Sequence, residues 1–260
     1  MRRLALRGAA TLLPPVLFFA LVVLAWEAVV RTLAIPPFLL PGPVRVGQAV
    51  LEHLDSLLHA TYLTAAGALC GLALSFGVGC LIALAFSQSR LVARSLYPYA
   101  IFLQTVPIVA IAPLIILWVG HGFHGVVAVS FIISLFPIIA NATAGLTSVD
   151  PNLLDLFAMN NASRLQVVRR LRVPNAVPSV LTGARISSGL AVIGAIVGEF
   201  FAGYGTEDFG LGYLIILTNG QARTDYLFAC ILFCTLLGLV IFAGVSILST
   251  FVLARWSGGE

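Results

Sequence analysis

Lysine is absent from this chain of 260 residues, whose 14 non-histidine basic residues are all arginine. That absence excludes a phosphate-loop lysine, a kinase lysine and a Schiff-base lysine, so the chain cannot carry out ATP hydrolysis of those kinds itself. Charge is scarce as well, at 9% of residues. Cysteine is limited to Cys70, Cys80, Cys230 and Cys234, each inside an apolar run, where it reads as a small buried hydrophobe rather than part of a disulfide framework. Cys230 and Cys234 share a helical face, but no His, Asp or Glu stands beside them to complete a zinc site. There is no H-E-x-x-H, no G-x-S-x-G and no pair of aspartates within the apolar runs, which argues against a membrane-embedded enzyme.

What is abundant is hydrocarbon. Apolar residues make up 60% of the chain and the mean hydropathy is +1.07, values that belong to a bilayer protein. Runs long enough to cross a core of about 30 Å are read at roughly 14–34, 61–86, 97–119, 125–146, 179–202 and 226–254. The expectation is an all-α polytopic membrane protein with six transmembrane helices in a single domain, 1–260. Pro107, Pro113 and Pro137 predict kinks in the third and fourth spans. Segment 36–59 opens with PPFLLPGP and continues as a short amphipathic helix on Val46, Val50, Leu54, Leu57 and Leu58, lying at the outer interface.

Arginine bias sets the orientation. Arg2, Arg3 and Arg7 precede the first span, Arg90 and Arg94 follow the second, Arg164, Arg169, Arg170 and Arg172 follow the fourth, and Arg255 follows the sixth. Arg185 snorkels to the same side, leaving Arg31, Arg45 and Arg223 outside. Both termini are therefore expected in the cytoplasm. Glu27 and Arg31 follow the first apolar run without a small-x-small cleavage site, so that run reads as an uncleaved helix.

The polar insertion DPNLLDLFAMNNASRLQVVRRLRVP, residues 150–174, carries four arginines between two spans. Asp150 before Pro151 is an N-cap with proline at the first helical position, and Leu153, Leu156 and Phe157 fall on one face of the helix that follows. Asn160 and Asn161 supply a left-handed terminus, Ser163 caps a second helix through Leu171, and Val173–Pro174 is expected to stop it. An amphipathic helix on a soluble face of a membrane protein calls for a partner.

At this point the residues D-P-x-L-L-D-x-x-x-x-x-N-A-S-R-x-Q-x-x-R-R-x-x-x-P-x-A-x-P resemble the EAA loop of bacterial ABC importer permeases. Asp155 holds the glutamate position, Leu156 and Phe157 stand where the motif has alanines, Asn161 stands where it has glycine, and Pro174 and Pro178 follow. LPGPVRV, QTVPIVAIAPLIILWVG, GARISSGLAVIGAIVGEFF and GLGYLI resemble the nitrate, sulfonate, taurine and thiamine-precursor branch of the same family. The resemblance implies a type I ABC importer permease fold in a bacterial inner membrane, working as a homodimer. It also implies two cytoplasmic ATPase subunits that carry ATP and magnesium, with no cofactor on this chain, and a periplasmic or lipid-anchored solute-binding protein. No nucleic-acid partner is expected; membrane lipid surrounds the spans. Coupling to the ATPase would rest on Asp155, Leu156, Phe157, Ala158, Met159, Asn160 and Asn161, with Arg164 and Arg169 at the rim. The cargo would be a small organic solute or oxyanion: a sulfonate, nitrate, bicarbonate, or a pyrimidine or flavin precursor. An ATP-independent secondary transporter or channel is the alternative.

Polar groups within the spans mark a possible translocation path: Gln104, Thr105, Asn141, Ser187, Ser188 and Glu199. Serine and threonine also serve close helix packing, and Glu199 fits a substrate contact, a pair across a dimer or a purely structural role. GHGFHG at 120–125 reads as a glycine-flanked turn, and 203–225 as an external segment of turns whose Glu207 and Asp208 would meet the binding protein.

Overall fold

The computed structural model describes residues 2–89, 91, 95, 98–99, 101–102, 105–203 and 209–257, with side chains from Leu13 to Arg255. Of the residues singled out above, Arg90, Arg94, Gln104, Glu207 and Asp208 lie outside the described ones. The described elements are helices: α1 (Arg2–Thr32), α2 (Pro43–Glu52), α3 (Leu54–Gln88), α4 (Ile108–Val119), α5 (Phe123–Thr147), α6 (Pro151–Met159), α7 (Arg164–Ala202), α8 (Leu211–Gly220) and α9 (Thr224–Ser257). α1, α3, α5, α7 and α9 are long and apolar enough to cross a membrane. The described part of the expected third span is mainly α4, which is 12 residues long and contains Pro113.

The centre of the molecule is the junction of α3, α5 and α7, and its chemistry is smallness. Gly67, Gly71, Ser75, Gly79 and Ala83 recur every fourth residue along α3, so one face of that helix is almost bare backbone, and all five are buried. Ser130, Ser134, Ile138 and Ala142 repeat the four-residue spacing on α5, and Ser187, Ala191 and Ala195 do so on α7. Between helices already in hydrocarbon, dispersion and hydrogen bonding replace the hydrophobic effect, and small residues admit the close approach both require. Ser187 donates to Ser134 O at 2.6 Å, Ser130 donates to Ala191 O at 2.9 Å, and the Ser75 and Ser134 hydroxyls lie 3.0 Å apart.

The outer helices attach more lightly. α1 has no buried residue in its span window and meets the rest near its outer end, where Trp26 lies 5.8 Å from Phe228 of α9. Glu27 and Arg31 form the anticipated pair at 2.6 Å, one turn apart. Thr224 donates to Phe38 O at 2.8 Å, which holds the proline-rich loop against the start of α9. The turn between α4 and α5 is glycine-dependent as expected, with φ of 107° at Gly120 and 82° at Gly122.

Three readings are corrected. The amphipathic outer helix ends at Glu52: His53, at φ −118°, breaks it, and Leu54 and Leu57 belong to α3, where Leu57 is fully buried. An apolar face at helical spacing continued across the break, and only the backbone shows it. The stop at Val173–Pro174 does not occur. Val168–Arg172 form a π-helical turn in which Val173 N–H reaches back five residues to Val168 O, and the helix runs on as α7. The wider turn accommodates a proline that a regular helix interior excludes. The segment after Gly203, read as turns, contains the ten-residue helix α8.

The packing predicts a contrast within α3. A Cβ at Gly71 would fall 2.4 Å from Ser130 Oγ and 2.9 Å from the Phe131 nitrogen, whereas one at Gly77 meets nothing within 4 Å. Gly71→Val is expected to destabilise by about 1–3 kcal/mol, and Gly77→Ala to be neutral or stabilising by up to about 1 kcal/mol. Thermal unfolding of the detergent-solubilised protein checks both.

Candidate functional site

The first candidate is α6 with the turn that follows it. Asp150 accepts from Asn152 N–H at 2.9 Å, so the N-cap is made as read. At the other end Asn161 adopts φ 51°, and Ala162 N–H returns to Phe157 O at 3.0 Å. Ser163 and Gln166 close a reciprocal capping box at the start of α7. Each end of the helix–turn–helix is therefore fixed by a local side chain, without help from a packed core.

That local fixing leaves the outer face free. Leu156 is 52% exposed and Met159 81%, and Leu153, Asp155, Ala158, Asn160 and Asn161 are exposed beside them. Phe157 differs from this set. It is half-buried and, with Leu156, Asn160, Ala162, Gln166 and Arg170, lines a cavity of about 280 Å³ between α6 and the start of α7. Arg164 and Arg169 are exposed at the edge, and Leu165, which the sequence reading passed over, is 74% exposed between them.

α6 is tied to the membrane bundle at its base. Asn175 donates to Gly145 O at 3.0 Å and to Ser148 Oγ at 3.1 Å, fastening α7 to the end of α5 just ahead of α6. Arg172 donates to Ser87 O at the C-terminus of α3, where a cation also meets the negative end of the helix dipole. Sequence reasoning counted Arg172 only toward charge bias and did not single out Asn175. Neither belongs to a local pattern, because the partners are 85 and 27–30 residues away.

Near the opposite end of α7, Glu199 is 5% exposed and sits against the N-terminus of α8. Its Oε2 accepts from Gly212 N–H at 2.8 Å and from the Thr64 hydroxyl at 2.9 Å, and Thr64 Oγ1 in turn accepts from Leu211 N–H at 2.9 Å. A carboxylate and a hydroxyl thus take up two of the free N–H groups at the start of a helix, whose dipole favours negative charge there. The glycines are required by space: a Cβ at Gly210 would fall 2.0 Å from Glu199 Oε1, and one at Gly212 would fall 2.3 Å from Ile196 O. GLG was read only as a family-like string, and Thr64 was not singled out.

The other polar residues of the spans are arranged as follows. Ser187 and Ser188 are buried, the first in the α5 contact and the second donating to Arg185 O at 2.7 Å. Asn141 is half-buried and donates to Pro137 O at 2.8 Å. Thr105 is exposed and donates to Phe102 O at 2.8 Å. These groups are spread over the bundle rather than brought together around one point.

Comparison with known proteins gives one consistent picture. Residues 75–257 match the family model described as binding-protein-dependent transport system inner membrane component. The chain is 37% identical over 93% of its length, and 95% of the relative's, to the formylaminopyrimidine transport permease protein ThiX of Halalkalibacterium halodurans. It is 32% identical to the riboflavin transport system permease protein RibX of Chloroflexus aurantiacus, over 91% of this chain and 87% of that one. With the taurine transport system permease protein TauC of Escherichia coli the identity is 28%, over 92% and 88%. Among solved structures, the inward-facing MetNI methionine ABC transporter superposes with a TM-score of 0.65 at 15% identity, over 77% of this chain and 98% of that one, which is a likeness of fold.

The Glu199 contact generates a prediction. Glu199→Ala leaves Gly212 N–H without its acceptor in a buried site, a loss of about 1–3 kcal/mol of local stability. Amide hydrogen exchange across Leu211–Gly220 is expected to speed up about tenfold or more, whereas Glu199→Gln, which keeps an acceptor oxygen, changes it far less.

Proposed function

The chain belongs to the family of binding-protein-dependent transport inner membrane components, and on that premise we propose that it forms the cargo passage of its importer as one of two identical subunits. As a permease subunit of an ABC importer it is a multi-pass inner-membrane protein, not a catalytic enzyme. Permeases of this family work generally with ATPase and solute-binding partners. We infer further that residues 1–260 form one permease domain, that both termini face the cytoplasm, and that ATP and magnesium reside on a separate ATPase dimer.

The observation that carries the coupling role is the exposed, doubly capped helix α6. A short helix with Leu153, Leu156 and Met159 facing water offers an apolar patch that a partner's groove would cover. Asp155, Ala158, Asn160 and Asn161 edge that patch, and Arg164, Leu165 and Arg169 extend it. Phe157, turned toward α7, transmits the grip instead of making it. Closure of the ATPase dimer would move α6. Because Arg172 and Asn175 fasten the start of α7 to α3 and α5, that movement would be delivered to the cytoplasmic ends of three spans together. Alternating access follows from rocking those ends, with the possible path along Thr105, Asn141, Ser187 and Ser188.

For cargo we propose a small nitrogen heteroaromatic of the pyrimidine- or flavin-precursor class. The two relatives named above at 30% identity or more are a formylaminopyrimidine permease and a riboflavin permease, and the taurine permease is more distant. An external solute-binding protein would deliver it.

Two experiments test these readings. Leu156→Asp with Met159→Asp alters only exposed side chains, so the permease should still fold while retention of the co-expressed ATPase falls at least thirtyfold, the loss of about 2 kcal/mol expected of a central contact. Undiminished retention would remove α6 from the coupling role. In proteoliposomes holding the permease, its ATPase and its binding protein, ATP-dependent uptake of formylaminopyrimidine or riboflavin should exceed uptake of taurine. The reverse order would overturn the cargo assignment.

A further inference from the structure

Toward the cytoplasmic ends of α3, α5, α7 and α9 lies a groove of about 570 Å³. Its walls come from Phe76, Leu84, Ala142, Val177, Leu181 and Leu248 among others, and the Cys80 thiol is the sole lining side chain with a polar hydrogen. On α7 the lining runs from Val173 to Leu181, eight residues or about 12 Å, a little under half of a hydrocarbon core of about 30 Å. The cavity is therefore one leaflet deep and chemically uniform.

Its cytoplasmic mouth is different. Arg172 immediately precedes the lining residue Val173, and its guanidinium reaches the Ser87 carbonyl, one turn past the lining residue Leu84. Arg255 is exposed one turn beyond the lining residue Val252 on the same face of α9. Neither arginine forms an ion pair among the described residues, and the described carboxylates nearest in sequence to Arg172, Asp150 and Asp155, belong to α6 and its cap. Hydrocarbon walls one leaflet deep beneath two arginines match an amphiphile with an apolar tail and an anionic head.

We propose that this groove holds an acyl chain of an anionic membrane phospholipid, with its phosphate at Arg172 and Arg255. The inner leaflet follows from the cytoplasmic placement proposed above. The walls have nothing to offer a polar cargo, whereas a lipid satisfies both the walls and the mouth. Gly77 lines the groove, and a Cβ added there meets nothing within 4 Å, so a side chain at this position grows into the cavity without striking backbone.

The test is native mass spectrometry of the complex purified from membranes and equilibrated with equal amounts of phosphatidylglycerol and phosphatidylcholine. One phosphatidylglycerol per permease chain is expected to stay bound. Gly77→Phe should reduce that occupancy at least fivefold with thermal stability preserved, and Arg255→Gln should leave a lipid bound while abolishing the preference for phosphatidylglycerol. Equal retention of the two lipids by the wild type, a free fatty acid as the retained mass, or unchanged occupancy in Gly77→Phe would overturn the proposal. So would disulfide formation between Cys80 residues of two chains in a variant whose other cysteines are serine, because a second copy would then cover the groove. Adduct masses are read whether or not the complex transports cargo, so failure here and failure of the importer reading are distinguishable.

Discussion

Backbone meets backbone where α3, α5 and α7 cross, and everything else in the molecule depends on that approach. A Cβ at Gly194 would lie 2.7 Å from Ser130 Cα, and one at Gly183 would lie 2.9 Å from Pro137 O. At such separations dispersion acts between main chains, and serine hydroxyls reach carbonyls of the neighbouring helix instead of only their own. In hydrocarbon no water competes for those donors, so each contact also satisfies a group that would otherwise be costly to bury. The helices on the periphery lack this intimacy. α1 in particular presents Phe18, Phe19 and Leu24 outward along its length, as a helix facing lipid or another subunit does.

A tightly packed trio transmits displacement, because close-packed helices shift as bodies more readily than they deform. At one end, α6 is joined to the trio by a π-helical turn and by the side chains of Arg172 and Asn175. Near the other end of α7, Glu199 holds α8 through Gly212 N–H, with Thr64 of α3 joining in. One helix thus follows the exposed α6 at one end and carries the buried Glu199 contact near the other.

The spans, the N-cap at Asp150, the left-handed Asn161 and the Ser163 cap were legible because each rests on local chemistry: hydrophobic length, or a side chain bonding backbone two or three residues away. What was illegible is nonlocal. Thr64 meets Glu199 across 135 residues of sequence, and Arg172 meets Ser87 across 85. Nothing in either neighbourhood marks those partners. The stop expected at Pro174 failed for a different reason. The rule that proline ends a helix assumes regular α geometry on both sides, and five residues of π-helix remove the assumption. Phe157 shows the same limit at smaller scale, since it shares a helical face with Leu153 and Leu156 yet turns toward α7 because that helix folds back over it.

The distribution of polar groups bears on how such a protein selects its cargo. A site that discriminates among solutes needs buried donors and acceptors left open for the ligand, so that the wrong solute leaves them unpaired. Among the described residues of the spans, Ser130, Ser134, Ser187, Ser188 and Asn141 each bond a helix carbonyl, and Glu199 is taken up by Gly212 and Thr64. These groups hold the helices together. Groups already committed to the fold contribute little preference between one small solute and another.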